Sequence, residues 1–223
     1  MTEPVRPAVR LSRVVYDELK SRLVEGRYAP GSRISIEDVK DEFGVSKQPV
    51  MEALRQLSTL GLVEIAPQSG CRVISYSPQE AQDFFMVFAS FESELAAAAA
   101  QRRSPAQIDE LDHTLRELVQ AEQDPDLVHR VREYFVLNRA FHQIIHDMAH
   151  SPVVADMSER MWNMSDFLMN TMGGPEPLAR AVHDRNHDHD TILNAIRHGN
   201  ELVARAAMQH HIRTIVRLFD GLE

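Results

Sequence analysis

A single cysteine, Cys71, among 223 residues leaves no internal disulfide possible, which fits a reducing compartment. Long apolar runs are also missing. No stretch of 18 apolar residues occurs, and the longest small-residue run, LAAAAA, is too short to cross a bilayer. The opening MTEPVRPAVR has no apolar stretch of the kind a secretory leader needs. A cytoplasmic protein with no membrane partner is therefore expected. Histidine is absent from the first half, since all 11 fall at or after His113. Positive charge is short overall, with a net charge of −9, but the deficit is uneven. Residues 1–76 hold 11 Lys/Arg against 10 Asp/Glu, and residues 77–223 hold 13 against 23. Two compositions imply two jobs, and the acidic total does not exclude a nucleic-acid partner, because binding depends on the local face.

What is present supports that division. At 43% hydrophobic and 26% charged residues, the chain has the composition of a soluble globular protein. Residues 1–9 read as a flexible arm. Leu11, Val15, Leu19 and Leu23 predict a helix ending near Gly26, before the turn pair Pro30-Gly31. The capping box SIED, Ser35 to Asp38, opens a short second helix that ends at Gly44. Ser46 is placed to cap a third helix, whose inward stripe is Val50, Leu54, Leu57 and Leu60. Pro49 is tolerated there because the first turn loses no helical hydrogen bond. LVEI and CRVI, around APQSG, read as a hairpin. Helix, helix, tight turn, helix and hairpin make a winged helix-turn-helix over residues 10–76, although a three-helix structural domain with a decorative hairpin has the same order. Beyond Ser77-Pro78 only helical signals appear, giving six helices over 77–223: about 78–102, 105–122, 126–149, 152–171, 177–198 and 200–220. The expected class is mainly α.

Four features in order, G-x-x-x-P-G, FGVS-x-x-PV-x-EAL, L-x-x-L-G-L-V and Gly70, resemble the DNA-binding domain of GntR-type bacterial regulators. Phe141-His142 and H-x-x-I-L-x-A-I at His189 to Ile196 are similar to the FCD effector domain of the FadR-like branch. The resemblance implies that Ser46, Lys47, Gln48 and Met51 face the DNA major groove, with Gly70 at the wing tip. Lys47 can donate to guanine or phosphate, and Gln48 can pair bidentately with adenine. The family usually has arginine where this chain has Lys47 and Met51, so the operator cannot be borrowed from relatives. Arg33, Arg55 and Arg72 are candidate phosphate contacts.

The histidines separate by helical geometry, at about 100° per residue. On the helix 126–149, Val131, Phe135, Asn138, Phe141, Ile145 and Met148 form the apolar stripe, with His142 at its edge. His146 and His150 share a side with Arg139 and Gln143 and are expected in solvent. His189 lies on the face of Ile192, Leu193 and Ile196, whereas His187 points elsewhere. His211 lies with Ala204, Met208, Ile215 and Leu218, away from His210. Three inward imidazoles on three helices, His142, His189 and His211, suit Zn, Ni or a similar divalent ion; a metal-free polar pocket is the plain alternative. The FCD resemblance implies a fourth ligand, an aspartate four residues before the first histidine. Asn138 stands there, a neutral and weaker donor, which leaves extra positive charge and favours an anionic effector. No arginine lies in residues 77–101, where the family often places its carboxylate anchor. Met157, Met161, Trp162, Met164, Met169 and Met172 allow a larger, apolar effector.

The resulting expectation is a ligand-responsive, dimeric transcription regulator, a repressor, reading a pseudo-palindromic operator. A metal-dependent hydrolase built on His142, His189 and His211 is the alternative, but no HExxH or equivalent supplies a general base. A ferritin-like di-iron bundle needs two ExxH motifs, and only Glu110 to His113 fits. Neither rival accounts for residues 10–76.

Overall fold

The structure, a computed structural model, describes residues 7–66, 70–173 and 175–218. The chain divides into two compact units, Met1–Ser77 with Trp162–Thr171, and Pro78–Met161 with Met172–Glu223.

The first unit opens with α1 (Pro7–Val24), which buries Val15, Leu19 and Leu23 completely. The expected arm therefore already gives way to helix at Pro7, because proline is favourable in a first helical turn; its residues 1–6 lie outside the described residues. A two-residue strand, β1 (Arg33–Ile34), precedes α2 (Ile36–Phe43). Ser35 caps α2 by accepting from the Asp38 amide, and Gly44 ends it at φ 61°, a left-handed position that suits glycine. Next comes α3 (Lys47–Thr59), which packs on α1 through Val50, Ala53, Leu54 and Leu57. Ser46 is at its N-cap position but makes no side-chain cap hydrogen bond, contrary to the sequence expectation. The hairpin is β2 (Val63–Ala66) and β3 (Gly70–Val73). Its tip, residues 67–69, lies outside the described residues. β1 joins it to give an antiparallel sheet ordered β1-β3-β2. A strand of two residues has no legible alternation, so only the hairpin could be read from sequence. Also in this unit, Asn170 Nδ2 donates to the Val24 carbonyl that ends α1, at 2.8 Å.

The second unit is helical, as expected: α4 (Pro78–Arg102), α5 (Pro105–Ala121), α6 (Leu127–Met148), α7 (Pro152–Leu168), which belongs to this unit only as far as Met161, α8 (Pro175–Arg197) and α9 (Glu201–Arg213). Ser104 closes a reciprocal capping box with Gln107 at the start of α5. Two ends deviate from the plain helices expected. A π-helical turn, Met169–Gly173, follows α7, and a 3₁₀ turn, Thr214–Leu218, follows α9. The long α4 lies mainly on α9, and its buried Ala96, Ala97, Ala99 and Ala100 keep its surface small. α6 packs against α4, α5 and α8.

Candidate functional site

In the first unit, α3 has two faces. Pro49, Val50, Ala53, Leu54 and Leu57 point into the core. Ser46, Lys47, Gln48 and Arg55 are exposed and Met51 is half-buried. Arg55 faces Glu52 at 3.5 Å on the same helix, which partly offsets its charge. Arg33 and Arg72 are direct cross-strand partners on β1 and β3, both exposed. Like charges so placed repel, unless an anion lies between them. Arg72 Nη1 donates to the Gly31 carbonyl at 3.2 Å. Gly70, at φ 85°, lies beneath the Arg33 guanidinium; a Cβ there would come within 3.4 Å of Arg33 Nε. Cys71 is buried, and burial pushes its thiol up to about 11, so it stays protonated and inert.

In the second unit, α6, α8 and α9 bring His142, His189 and His211 together. One ring nitrogen from each lies within 4.8 Å of the other two, and all three residues are buried. A tetrahedral zinc with Zn–N near 2.0–2.1 Å places its ligand nitrogens about 3.3 Å apart, so rotations of roughly an ångström would close the set. Burial lowers His142 to about 4 and holds His189 and His211 well below the ordinary range. All three are thus neutral at pH 7, the form that ligates. Both ring nitrogens of His189 are buried without a hydrogen-bond partner. Asn138, one turn before His142, is half-buried, and its Oδ1 accepts from the Tyr134 hydroxyl at 3.2 Å.

One expectation fails: His146 is not in solvent. It is 6% exposed, and its Nε2 sits 2.8 Å from Glu92 Oε2. A single buried stripe requires a helix covered on one side only, and α6 is not. Because α4 and α8 both pack on it, its last turns bury Phe141, His142, Ile144, Ile145, His146 and Met148. His150, His187 and His210 are exposed, as expected.

Residues the sequence reading missed surround the cluster. Glu92 on α4 is wholly buried; its Oε1 accepts from Ser158 Oγ at 3.1 Å, and its Oε2 is 3.7 Å from His142 Nδ1. Burial alone would raise this carboxyl, but the facing imidazoles of His142 and His146 outweigh it and hold the group at about 2. Asp188 Oδ2 is 3.3 Å from His211 Nδ1. Arg185, 5% exposed, donates through Nη1 to the His211 carbonyl and to Thr214 Oγ1, each at 2.6 Å. Glu92 did leave a signal: it shares a helical stripe with Phe85, Phe88, Ala89 and Ala96. Arg185 likewise falls one turn before His189.

Two family models match the chain. The gntR family of bacterial regulatory proteins covers residues 11–73, and the FCD domain covers residues 83–214. The chain belongs to the FCD-containing gntR family of bacterial regulatory proteins. It is accordingly a helix-turn-helix transcriptional regulator with an FCD effector-binding domain. Among curated relatives, the transcriptional regulator McbR of Escherichia coli K12 is 26% identical over 69% of this chain and 68% of its own length. The repressor RspR of the same organism is 26% identical over 95% of this chain and 90% of its own. A regulator from an unstable DNA locus of Streptomyces ambofaciens is 29% identical, over 95% and 84%. The solved E. coli McbR/YncC structure superposes with a TM-score of 0.78 at 21% identity, covering 96% of this chain and 99% of that one. A Rhodococcus GntR regulator gives 0.75 at 18% identity, over 96% and 100%. These structures support the fold alone. The relatives named here are regulators, and nothing in the comparisons supports the hydrolase alternative. Among the described residues, no helix is long and apolar enough to cross a membrane.

Proposed function

We propose that this regulator is a cytoplasmic homodimer that represses by binding a pseudo-palindromic operator and responds to a small anionic effector held beside a divalent ion. The observation that carries the reading is the buried trio of neutral imidazoles on α6, α8 and α9, with His189 left unpartnered. An unsatisfied buried polar group costs about 1–3 kcal/mol, which a ligated ion would remove. His142, His189 and His211 would hold Zn or Ni, with Asn138 as a fourth, weaker donor through the acceptor position on Oδ1 that Tyr134 does not use. A bound ion would supply a Lewis-acidic positive point for an effector oxygen. The buried Arg185 adds a second positive charge on the α8 side, which compensates for the absence of arginine from residues 77–101.

On the first unit, Ser46, Lys47, Gln48 and Met51 would meet base edges in the major groove. Arg33, Arg72 and Arg55 would meet phosphates, with Gly70 allowing close approach of the wing. The cross-strand Arg33–Arg72 pair supports this, since a phosphate between them relieves their repulsion. The test is operator retention. Wild-type protein should shift a fragment of its own promoter region, with affinity falling steeply as salt rises, and a screened small acid should release it. Equal retention of random duplex would refute the reading.

A further inference from the structure

We propose that Glu92 is a positioning residue of the histidine cluster, the outer carboxylate that sets the ring of His142, and that Asp188 plays the same part for His211. This rests on the metal reading above.

A carboxylate with no exposure, on the apolar stripe of α4, is expensive to keep; desolvating such an ion costs several kcal/mol. Packing does not account for it, because its stripe neighbours Phe88, Ala89 and Ala96 are all apolar. Its oxygens are arranged instead. Oε1 accepts from Ser158 on α7, and Oε2 lies between His146 Nε2 at 2.8 Å and His142 Nδ1 at 3.7 Å. Ser158 and His146 thus anchor the carboxylate, and His142 is the group it is aimed at. Across the cluster, Asp188 Oδ2 lies 3.3 Å from His211 Nδ1 and 3.6 Å from Arg185 Nη1. The two carboxylates therefore approach the same nitrogen, Nδ1, of two different histidines. A carboxylate there holds the proton on Nδ1 and leaves the Nε2 lone pair for an ion. At 3.7 Å the Glu92–His142 contact is too long for a hydrogen bond. The shift that closes it is about as large as the rotation that draws the three ligand nitrogens to tetrahedral spacing.

The experiment is a competition titration of zinc against a chromophoric chelator, using the metal-stripped full-length protein. Glu92→Gln should weaken zinc binding about ten- to a hundredfold and shift the visible bands of the cobalt-substituted protein. Glu92→Asp, which keeps the charge, should lie between Glu92→Gln and wild type. A Glu92→Gln affinity within twofold of wild type overturns the proposal while leaving the metal reading intact. If wild type takes up no zinc, both fall. Long-range ¹⁵N–¹H spectra of zinc-loaded wild type decide the matter even if the variant does not fold. Metal on His142 Nε2 with Nδ1 protonated supports the assignment, and metal on Nδ1 overturns it.

Discussion

His146→Ala distinguishes a buried partner from a solvated face. In the structure His146 is 6% exposed and its Nε2 lies 2.8 Å from the fully buried Glu92 carboxylate. Removing the imidazole leaves that carboxylate with the Ser158 hydroxyl and the more distant His142 as its named partners. Breaking a buried pair on one side costs about 3–5 kcal/mol, whereas a surface histidine costs within about 0.5 kcal/mol. We take roughly 3 kcal/mol, because Ser158 continues to donate. For chains of this size that corresponds to about 6–12 °C in Tm. Urea and thermal unfolding of the metal-free protein, followed by far-UV circular dichroism, would measure it. Glu92→Gln in the same background should recover at least about 1 kcal/mol, since it removes the stranded charge. A His146→Ala variant within about 0.5 kcal/mol of wild type would refute the burial argument.

Other outcomes follow from the same geometry. The metal-free protein should lose stability as pH falls from 6.5 toward 4, because unfolded histidines take up protons that the folded His142, at about 4, refuses. For His142 alone the loss is about 3 kcal/mol, and His189 and His211 act in the same direction. A further loss comes between pH 4.5 and 2 as Glu92 protonates, so an unfolding midpoint flat from pH 7 to 4 would contradict the burial of these rings. Gln48→Ala should weaken operator binding about 5- to 150-fold, and Lys47→Ala should reduce the salt slope by about 1; gel-shift titrations unchanged in both respects would remove α3 from the groove. His189→Ala should lower the metal content of protein purified without chelator, measured by elemental analysis, while His150→Ala should not. Equal content in both would discard the cluster.

Much of this architecture was legible because its signals are local. Ser35 with Asp38, and Gly44, mark helix ends through hydrogen bonds that close within four residues. The inward placement of His142, His189 and His211 followed from phase alone on α6, α8 and α9. What was not legible depended on how helices face one another. His146 looked solvent-facing because its partner, Glu92, is 54 residues away on another helix. Glu92 itself could have been noticed as an acid on an apolar stripe, but only packing shows which histidines it meets. β1 has two residues and no periodicity, and the π turn at Met169–Gly173 replaces a helix end that carries no breaker before Gly173.

The most direct measurement is isothermal titration of zinc into the metal-stripped protein at pH 7 in two buffers of different ionisation enthalpy. Three already neutral imidazoles predict one ion per chain, bound with almost no proton release, and loss of that site in His211→Ala. Absence of saturable binding, or an unchanged isotherm in His211→Ala, would contradict the account.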